Sequence, residues 1–459
     1  MDSKKNLWQQ YWDVNSVAQT AHRGENPFSL IVKGLQSMLV MFGATIIVPL
    51  TLGMSPQVTL FGMGVGTLIF LMLTKGKSPL TMGSSFAFMI GVLGIIDAAG
   101  GPFAGDAFTH YDRLQYALGG IMTAGVVYLV FSVIVKLIGA ERFMRYLPHA
   151  VTGPTVVLIG VTLAPHAINQ FATNWILGPL TAIIIIVVMV FGRGKVKAFP
   201  ILIGLGIAYF VAVIMNLAGA TNADGSALVY FGAVAEANLF GLPPFMAPRF
   251  HIVPILMMAP FALATVAENI ADHVIVGAEM GEDLLREKPG LSRTLFADGL
   301  QSMLVAAFGT PMNTTYSENV GLLIITKVFS SVVVAIGAVF AIILGLSPAV
   351  AEVIRSIPVS IIGGASIMLY GMIASIGMRN VKEHVDLNIV KYLIIMSVML
   401  VVGIGMRFGT PILVNIAGES VRLDRMNLPV AIILGMILNA VLPNEAKDDK
   451  KDNTVDDKA

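Results

Sequence analysis

Apolar stretches long enough to cross a bilayer recur along almost the whole chain, and that recurrence admits very few folds. A helix needs about 20 apolar residues to span the hydrocarbon core. Such runs lie near residues 29–50, 56–75, 84–98, 114–139, 150–167, 174–192 and 197–218. A polar stretch rich in Gly, Asn and Pro follows at 219–250. A second set lies near 251–278, 293–309, 318–326, 327–346, 358–377, 387–406 and 426–443. Charged residues are only 12% of the 459 and hydrophobic ones 56%, whereas a soluble domain carries about 25% charged residues. Length alone would accommodate about three soluble domains, but the runs are too continuous, and the chain reads as one all-α membrane domain. A net charge of +1 offers no basic surface for nucleic acid. The absence of Cys excludes disulfides, thiolate metal sites and cysteine nucleophiles.

The ends are polar. Residues 1–28 contain Lys4, Lys5, Trp8, Trp12 and Arg23 without the apolar core of a cleavable signal peptide. Trp8 and Trp12 lie four apart and share a helix face, as in an interfacial helix; a disordered tail is the other reading. The Lys/Asp-rich stretch 444–459 reads as a disordered tail. Orientation follows from the basic residues, which concentrate in cytoplasmic loops. With the N-terminus inside, only Arg113, Arg249, Arg355, Arg407, Arg422 and Arg425 fall outside, six of the 29 Lys and Arg. Both termini are therefore expected in the cytoplasm, which fits an even number of spans.

Two spans are abnormal. The run from Glu318 to Thr326 is too short to cross alone, and Gly309-Thr310-Pro311-Met312-Asn313-Thr314-Thr315-Tyr316-Ser317 before it is polar and breaks helix. The run after Thr81-Met82-Gly83-Ser84-Ser85 is also short, ending near Ala98. Each is the third of its set of seven. Short, interrupted segments at matching positions in two halves point to a binding site between inverted repeats, because irregular backbone survives at membrane depth only where protein or a polar cavity satisfies it. Simple re-entrant turns are the bland alternative. The recurrence of Gly34-Leu35-Gln36-Ser37-Met38-Leu39-Val40 as Gly299-Leu300-Gln301-Ser302-Met303-Leu304-Val305 is out of phase with these breaks and reads as coincidence.

Charged groups inside spans are costly and mark function. The second half concentrates them at Glu268, Asp272, His273, Asp298 and Glu318, while Lys33 sits near a span end and can snorkel. Glu268 and Asp272 share a helix face. Two close carboxylates in a low dielectric resist carrying two charges, so one holds a proton, which is what a proton carrier requires. His273 points away from that face and reads as hydrogen-bonded to a neighbouring helix rather than as a ligand. Glu318 begins a short helix, whose dipole favours a carboxylate there; it reads as a fixed acceptor, with Glu268 as the group that exchanges a proton. The matching break offers backbone N–H groups near Ser85 and Phe86. Asp298 is either a polar bridge that holds the carboxylate helix or part of a proton path; the bridge is the favoured reading. A small planar heterocycle suits this set, with carboxylates taking its N–H groups, backbone amides its carbonyls, and Phe86 or Tyr316 packing on the ring.

Other motifs are weak. Gly62, Gly64 and Gly66 lack dinucleotide-fold spacing and read as helix-packing sites. There is no P-loop, zinc spacing or nucleophile elbow, so no cofactor, metal or enzymatic activity is expected. The Asn313-Thr314-Thr315 sequon reads as unused, and the 26 Met residues as core filler rather than a metal path.

Glu318-Asn319-Val320-Gly321, ending Thr326-Lys327, resembles the signature of the nucleobase–ascorbate transporter family, also called nucleobase:cation symporter-2. Asn313-Thr314-Thr315-Tyr316, Gly83-Ser84-Ser85-Phe86-Ala87-Phe88, Met41-Phe42-Gly43-Ala44-Thr45 and Gly363-Gly364-Ala365-Ser366 with Tyr370 look like its bacterial uracil permeases. The resemblance covers roughly residues 28–443 in order and implies 14 transmembrane segments in a 7+7 inverted repeat. Its third and tenth spans are broken. Its repeats fall at 29–218 and 251–443, with 219–250 as an extracellular connection and 1–28 as a cytoplasmic segment. It implies a core of spans 1–4 and 8–11, a gate of spans 5–7 and 12–14, dimerisation through the gate and an elevator-like motion of the core. Carried over, Glu268 and Glu318 bind the base through its N–H groups, Phe86 and Ser317 supply backbone amides, and Tyr316 and Tyr370 line the pocket. The implied activity is proton-coupled import of uracil across the cytoplasmic membrane.

Three positions depart from the uracil pattern. Asp272 stands where a His is usual, Gln36-Ser37 where Gln-His is usual, and Asp298 looks like the xanthine and uric acid branch, which has Gln at the place of Glu318. A xanthine or broad nucleobase symporter is therefore the nearest rival. An anion exchanger of the same architecture would need a cationic site at the second break, which Glu318 opposes. A channel would need a long polar stripe that no span carries.

Overall fold

The computed structural model describes residues 17–443 except 22–23, 25, 98–102, 104–106, 223–224 and 417–418. The interfacial-helix reading of Trp8 and Trp12 and the tail 444–459 lie outside the described residues. The chain is a mostly helical membrane protein. Its principal helices are α1 Pro27–Leu52, α2 Pro56–Leu73, α3 Phe86–Ile96, α4 His110–Ile138, α5 His149–Phe171, α6 Leu177–Phe191 and α7 Pro200–Leu217. After the connection come α8 Ile252–Met280, α9 Leu291–Ala306, α10 Ser317–Thr326, α11 Ser331–Gly345, α12 Val359–His384, α13 Val390–Phe408 and α14 Asn427–Val441. Among the described residues nine helices are long and apolar enough to cross, or ten if α11 and the short helix Pro348–Arg355, bent by 84° from it, form one span. The helices α3 and α6 are apolar but shorter.

Local chemistry sets the ends. Asn26 caps α1 by accepting the Phe28 N–H at 3.0 Å, with Pro27 at the first helical position, where a missing N–H costs nothing. Thr109 and Asp112 form a reciprocal capping box on α4. The sequence reads 251–278 as one helix; the structure interrupts α8 by a 3₁₀ turn at Ala259–Phe261, because Pro260 has no N–H to continue the ladder. The helical expectation holds for the bulk of the described residues, with short strands added. Two antiparallel pairs are present, β1 Met82–Ser84 with β2 Asn313–Thr315, and β3 Leu413–Ile416 with β4 Glu419–Arg422. The first lies where the helical runs break, and each strand there supplies backbone partners for the other.

The helices pack in a pattern that repeats when every label is advanced by seven. The helix α4 lies along α9, and α2 along α11; α1 packs on α11, and α8 on α4; α6 pairs with α7, and α13 with α14; α5 and α12 pack on each other. Close approach needs small residues: a Cβ on Gly160 of α5 would stand 2.3 Å from the Tyr370 carbonyl oxygen of α12. Large apolar side chains such as Phe191, Leu217 and Val401 remain exposed at 74%, 77% and 71%, the surface that lipid covers.

Candidate binding site

The strands β1 and β2 are buried throughout and pair Met82 with Thr315, Gly83 with Thr314 and Ser84 with Asn313. Each runs into a short helix, β1 into α3 and β2 into α10. The Ser85 N–H donates to the Met312 carbonyl at 2.9 Å, fixing the turn from strand to helix. Neither Ser85 nor Tyr316, the residues preceding the two helices, caps its helix through its side chain. The first-turn N–H groups of both helices, and the positive ends of their dipoles, therefore flank one buried strand pair.

Aromatic side chains close around it. Tyr316 is buried, its ring lies over Gly83, and its hydroxyl accepts the Ala44 N–H of α1 at 3.1 Å. A Cβ on Gly83 would stand 2.7 Å from that ring. Phe86 at the start of α3 meets Tyr370 of α12 edge to face, with centroids 5.5 Å apart. The structure thus brings Phe86, Tyr316 and Tyr370 to the strand pair and its two helix starts. The backbone of Ser317 and Glu318 forms the first turn of α10; their side chains lie outside the described residues.

Glu268 and Asp272 sit one turn apart on α8, the first half-buried and the second buried. Asp298 of α9 is fully buried; its carboxylate accepts from Asn269 Nδ2 at 2.8 Å and Gln301 Nε2 at 3.1 Å. Gln301 Nε2 and Ser302 Oγ also donate to the Asn313 carbonyl of β2, and Asn313 Nδ2 returns a bond to Gln301 Oε1 at 3.1 Å. Asp298 is therefore a bridge from the carboxylate helix through α9 to β2. Gly66 of α2 admits this network: a Cβ there would be 2.4 Å from both Asn313 Nδ2 and Gln301 Oε1. His273 is buried with Nδ1 at 2.7 Å from the Asn269 carbonyl, which only accepts, so Nδ1 carries the proton and Nε2 accepts from Ser78 Oγ at 3.1 Å.

Asn269, Gln301 and Ser302 escaped the sequence reading. Their signal was faint: Gln301 is three residues beyond Asp298 on one helix face, and Asn269 adjoins Glu268. A cavity of about 600 Å³ opens between α8 and α5, lined by His149, His273, Gly277, Gly281 and Leu285. Among the described residues no group of three His, Asp or Glu stands together as a metal site.

Membrane-crossing helices around a buried polar junction define a multi-pass membrane protein, and the family and relatives it matches are transporters rather than enzymes. The chain belongs to the permease family, the nucleobase:cation symporter-2 group, whose model it matches over residues 28–412. The uracil permease of Bacillus subtilis (strain 168) is 34% identical over 448 residues, 93% of this chain and 95% of the relative. The uracil permease of Escherichia coli (strain K12) is 33% identical over 439 residues, covering 92% and 95%. The putative pyrimidine permease RutG of the same strain is 37% identical over 380 residues, 82% of each. Among solved structures, the transmembrane domain of the cyanobacterial bicarbonate transporter BicA aligns with a TM-score of 0.59 at 12% identity, covering 90% of this chain and 96% of that one. The murine anion transporter solute carrier 26 member A9, in its inward-facing state, aligns at 0.66 and 11%, covering 96% and 72%. At such identities these two likenesses carry the fold alone.

Proposed function

We propose that this chain imports uracil across the cytoplasmic membrane, driven by protons. The observation that carries the reading is the meeting of two helix starts at one buried strand pair, in a chain whose relatives over nearly its full length are uracil permeases. Uracil is a small ring with two N–H groups and two carbonyls. The N–H groups at the starts of α3 and α10 suit the carbonyls, Glu268 and Glu318 suit the N–H groups, and Phe86, Tyr316 and Tyr370 supply flat apolar walls. Glu268, with Asp272 one turn away, is the proton-exchanging group; Glu318 is a fixed acceptor.

The architecture of the proposal is fourteen spans, α1 to α14, in two inverted sets of seven, with α3 and α10 as the broken third and tenth. The sevenfold shift in helix packing and the pairing of β1 with β2 support it. The helices α1–α4 and α8–α11 form the core, α5–α7 and α12–α14 the gate, both termini are cytoplasmic, and the gate makes a homodimer.

A xanthine or uric acid symporter is the second reading, favoured by Asp272. Asp298 lends it less weight, because its carboxylate is engaged in the bridge. Uptake of radiolabelled uracil into cells lacking their own nucleobase carriers tests both, with thymine, xanthine, hypoxanthine and uric acid as competitors and with a protonophore. Accumulation that only pyrimidines inhibit and the protonophore collapses is the expected result. Entry of xanthine but not uracil would overturn the substrate and keep the family.

A further inference from the structure

The connection between α7 and α8 carries an apolar patch that the proposed uptake does not use. Leu239, Phe240 and Leu242 are exposed at 73%, 75% and 83%. They stand within four consecutive residues, in a stretch that belongs to no membrane-crossing helix. Large apolar side chains gathered in this way mark a surface that meets a partner. Hydrogen bonds fix where the patch stands. The Gly241 N–H donates to the Leu346 carbonyl at 2.9 Å, and the Ala349 N–H to the Asn238 carbonyl at 3.1 Å. Gln57 Nε2, in the first turn of α2, donates to the Gly241 carbonyl at 3.0 Å. Gly241 permits this approach, since a Cβ there would lie 2.9 Å from Pro348 Cγ. Residues 238–241 are therefore laid along 346–349, where the chain leaves α11 and turns by 84° into Pro348–Arg355.

This placement identifies the partner. The helix α2 is long and apolar enough to cross, and the first turn of a span stands where hydrocarbon gives way to headgroups. On the neighbouring α11, Val339 and Ile343 are exposed one turn apart, and their lipid-facing surface leads up to Leu346, to which Gly241 is bonded. Leu239, Phe240 and Leu242 continue that surface at the level of the headgroups. Residues 237–248 carry no charged side chain, so the patch has no ion pair to offer a headgroup or an acidic or basic protein. What it can offer is apolar contact with the boundary between headgroups and acyl chains, as an interfacial segment does.

We propose that residues 239–242 dip into the lipid leaflet at this end, with Leu239, Phe240 and Leu242 seated between headgroups and acyl chains. The same segment runs on across the molecule. The Met246 N–H donates to the Phe308 carbonyl just beyond α9 at 3.1 Å, and the Arg249 N–H to the Gln115 carbonyl of α4 at 2.9 Å. With the bonds to Gln57 and Leu346, the immersed residues are tied to α2, α4, α9 and α11, so the leaflet sets the depth of four helices through one connection.

The chain has no native cysteine, so Phe240→Cys and Leu242→Cys each give one site for a nitroxide label. Both replace exposed side chains of the full chain, which is reconstituted into phosphatidylcholine vesicles. Power saturation with oxygen and with a water-soluble nickel chelate reads the depth of each label. Both are expected about 5–10 Å inside the interface, in contact with oxygen more than with nickel. A label at Ser226→Cys, exposed in the polar part of the same connection, is expected in water. Nickel contact at 240 and 242 equal to that at 226 would overturn the proposal. Labels immobilised and shielded from both reagents would show a second copy of the chain seated on the patch, and would overturn it too.

Discussion

Glu268 and Asp298 lie on adjacent helices, carry the same carboxylate and are read as doing different work. Glu268 is half-buried on the face it shares with Asp272; Asp298 is spent on Asn269 and Gln301. Glu268→Gln is expected to abolish uphill accumulation while the protein still assembles, and normal pH-dependent uptake in that variant would remove its proton role. Asp298→Ala strands the buried Asn269 amide donor, at a cost of about 1–3 kcal/mol, while Gln301 keeps the Asn313 carbonyl. Its expected signature is a lowered unfolding temperature in detergent together with weakened uptake; an unchanged unfolding temperature would show that the bridge holds nothing. Glu318→Ala is expected to abolish uracil binding, measured by scintillation proximity on purified protein.

At the scale of elements, α3 and α10 were legible in the sequence because a run of about ten apolar residues cannot cross a bilayer of about 30 Å. What joins them was not. A strand of three residues carries no periodicity, and Gly83 and Thr314 are too far apart in sequence for any local pattern to pair them. The break at Pro260 was visible as a residue but lost inside an apolar run, and the sharp bend between α11 and Pro348–Arg355 arises at Leu346 and Ser347, which look like ordinary loop. The packing roles of Gly62, Gly64 and Gly66 were readable from composition; the partners they admit were not, since those come from the other half of the chain. The strand pair is also where a small change has a large effect. Gly83→Ala would drive a methyl group into the Tyr316 ring. Overpacking costs about 1–3 kcal/mol, so uracil affinity is expected to fall about tenfold; affinity equal to wild type would mean that the ring yields freely.

At the scale of the whole molecule, one end carries a cavity and the other an ion pair. The cavity between α8 and α5 lies at the end where α8 finishes. At the opposite end, Arg425, in the turn leading into α14, reaches Asp97 at the close of α3 with Nη2 to Oδ2 at 2.6 Å, and both side chains are largely buried. In the proposed division this ion pair joins core to gate. Asp97→Asn is expected to favour the state open at that end. The chain has no native cysteine, so Ile96→Cys provides a single reporter. Labelling by a membrane-impermeant maleimide should rise when Asp97→Asn is added, and an equal rate would rule out the ion pair as a latch.

The bonding of β1 to β2 also bears on how the molecule is made. Synthesis runs from the N-terminus, so Met82–Ser84 leaves the ribosome long before Asn313–Thr315 exists. Met82 can already bond to the Thr67 hydroxyl of α2, but until then the groups of β1 that bond to β2 have no partner strand, and hydrocarbon offers none, at a cost of several kcal/mol for each. The first broken segment must wait in a hydrated or proteinaceous setting while the intervening helices insert. A segment translated much later thus decides when the earlier strand is finally seated.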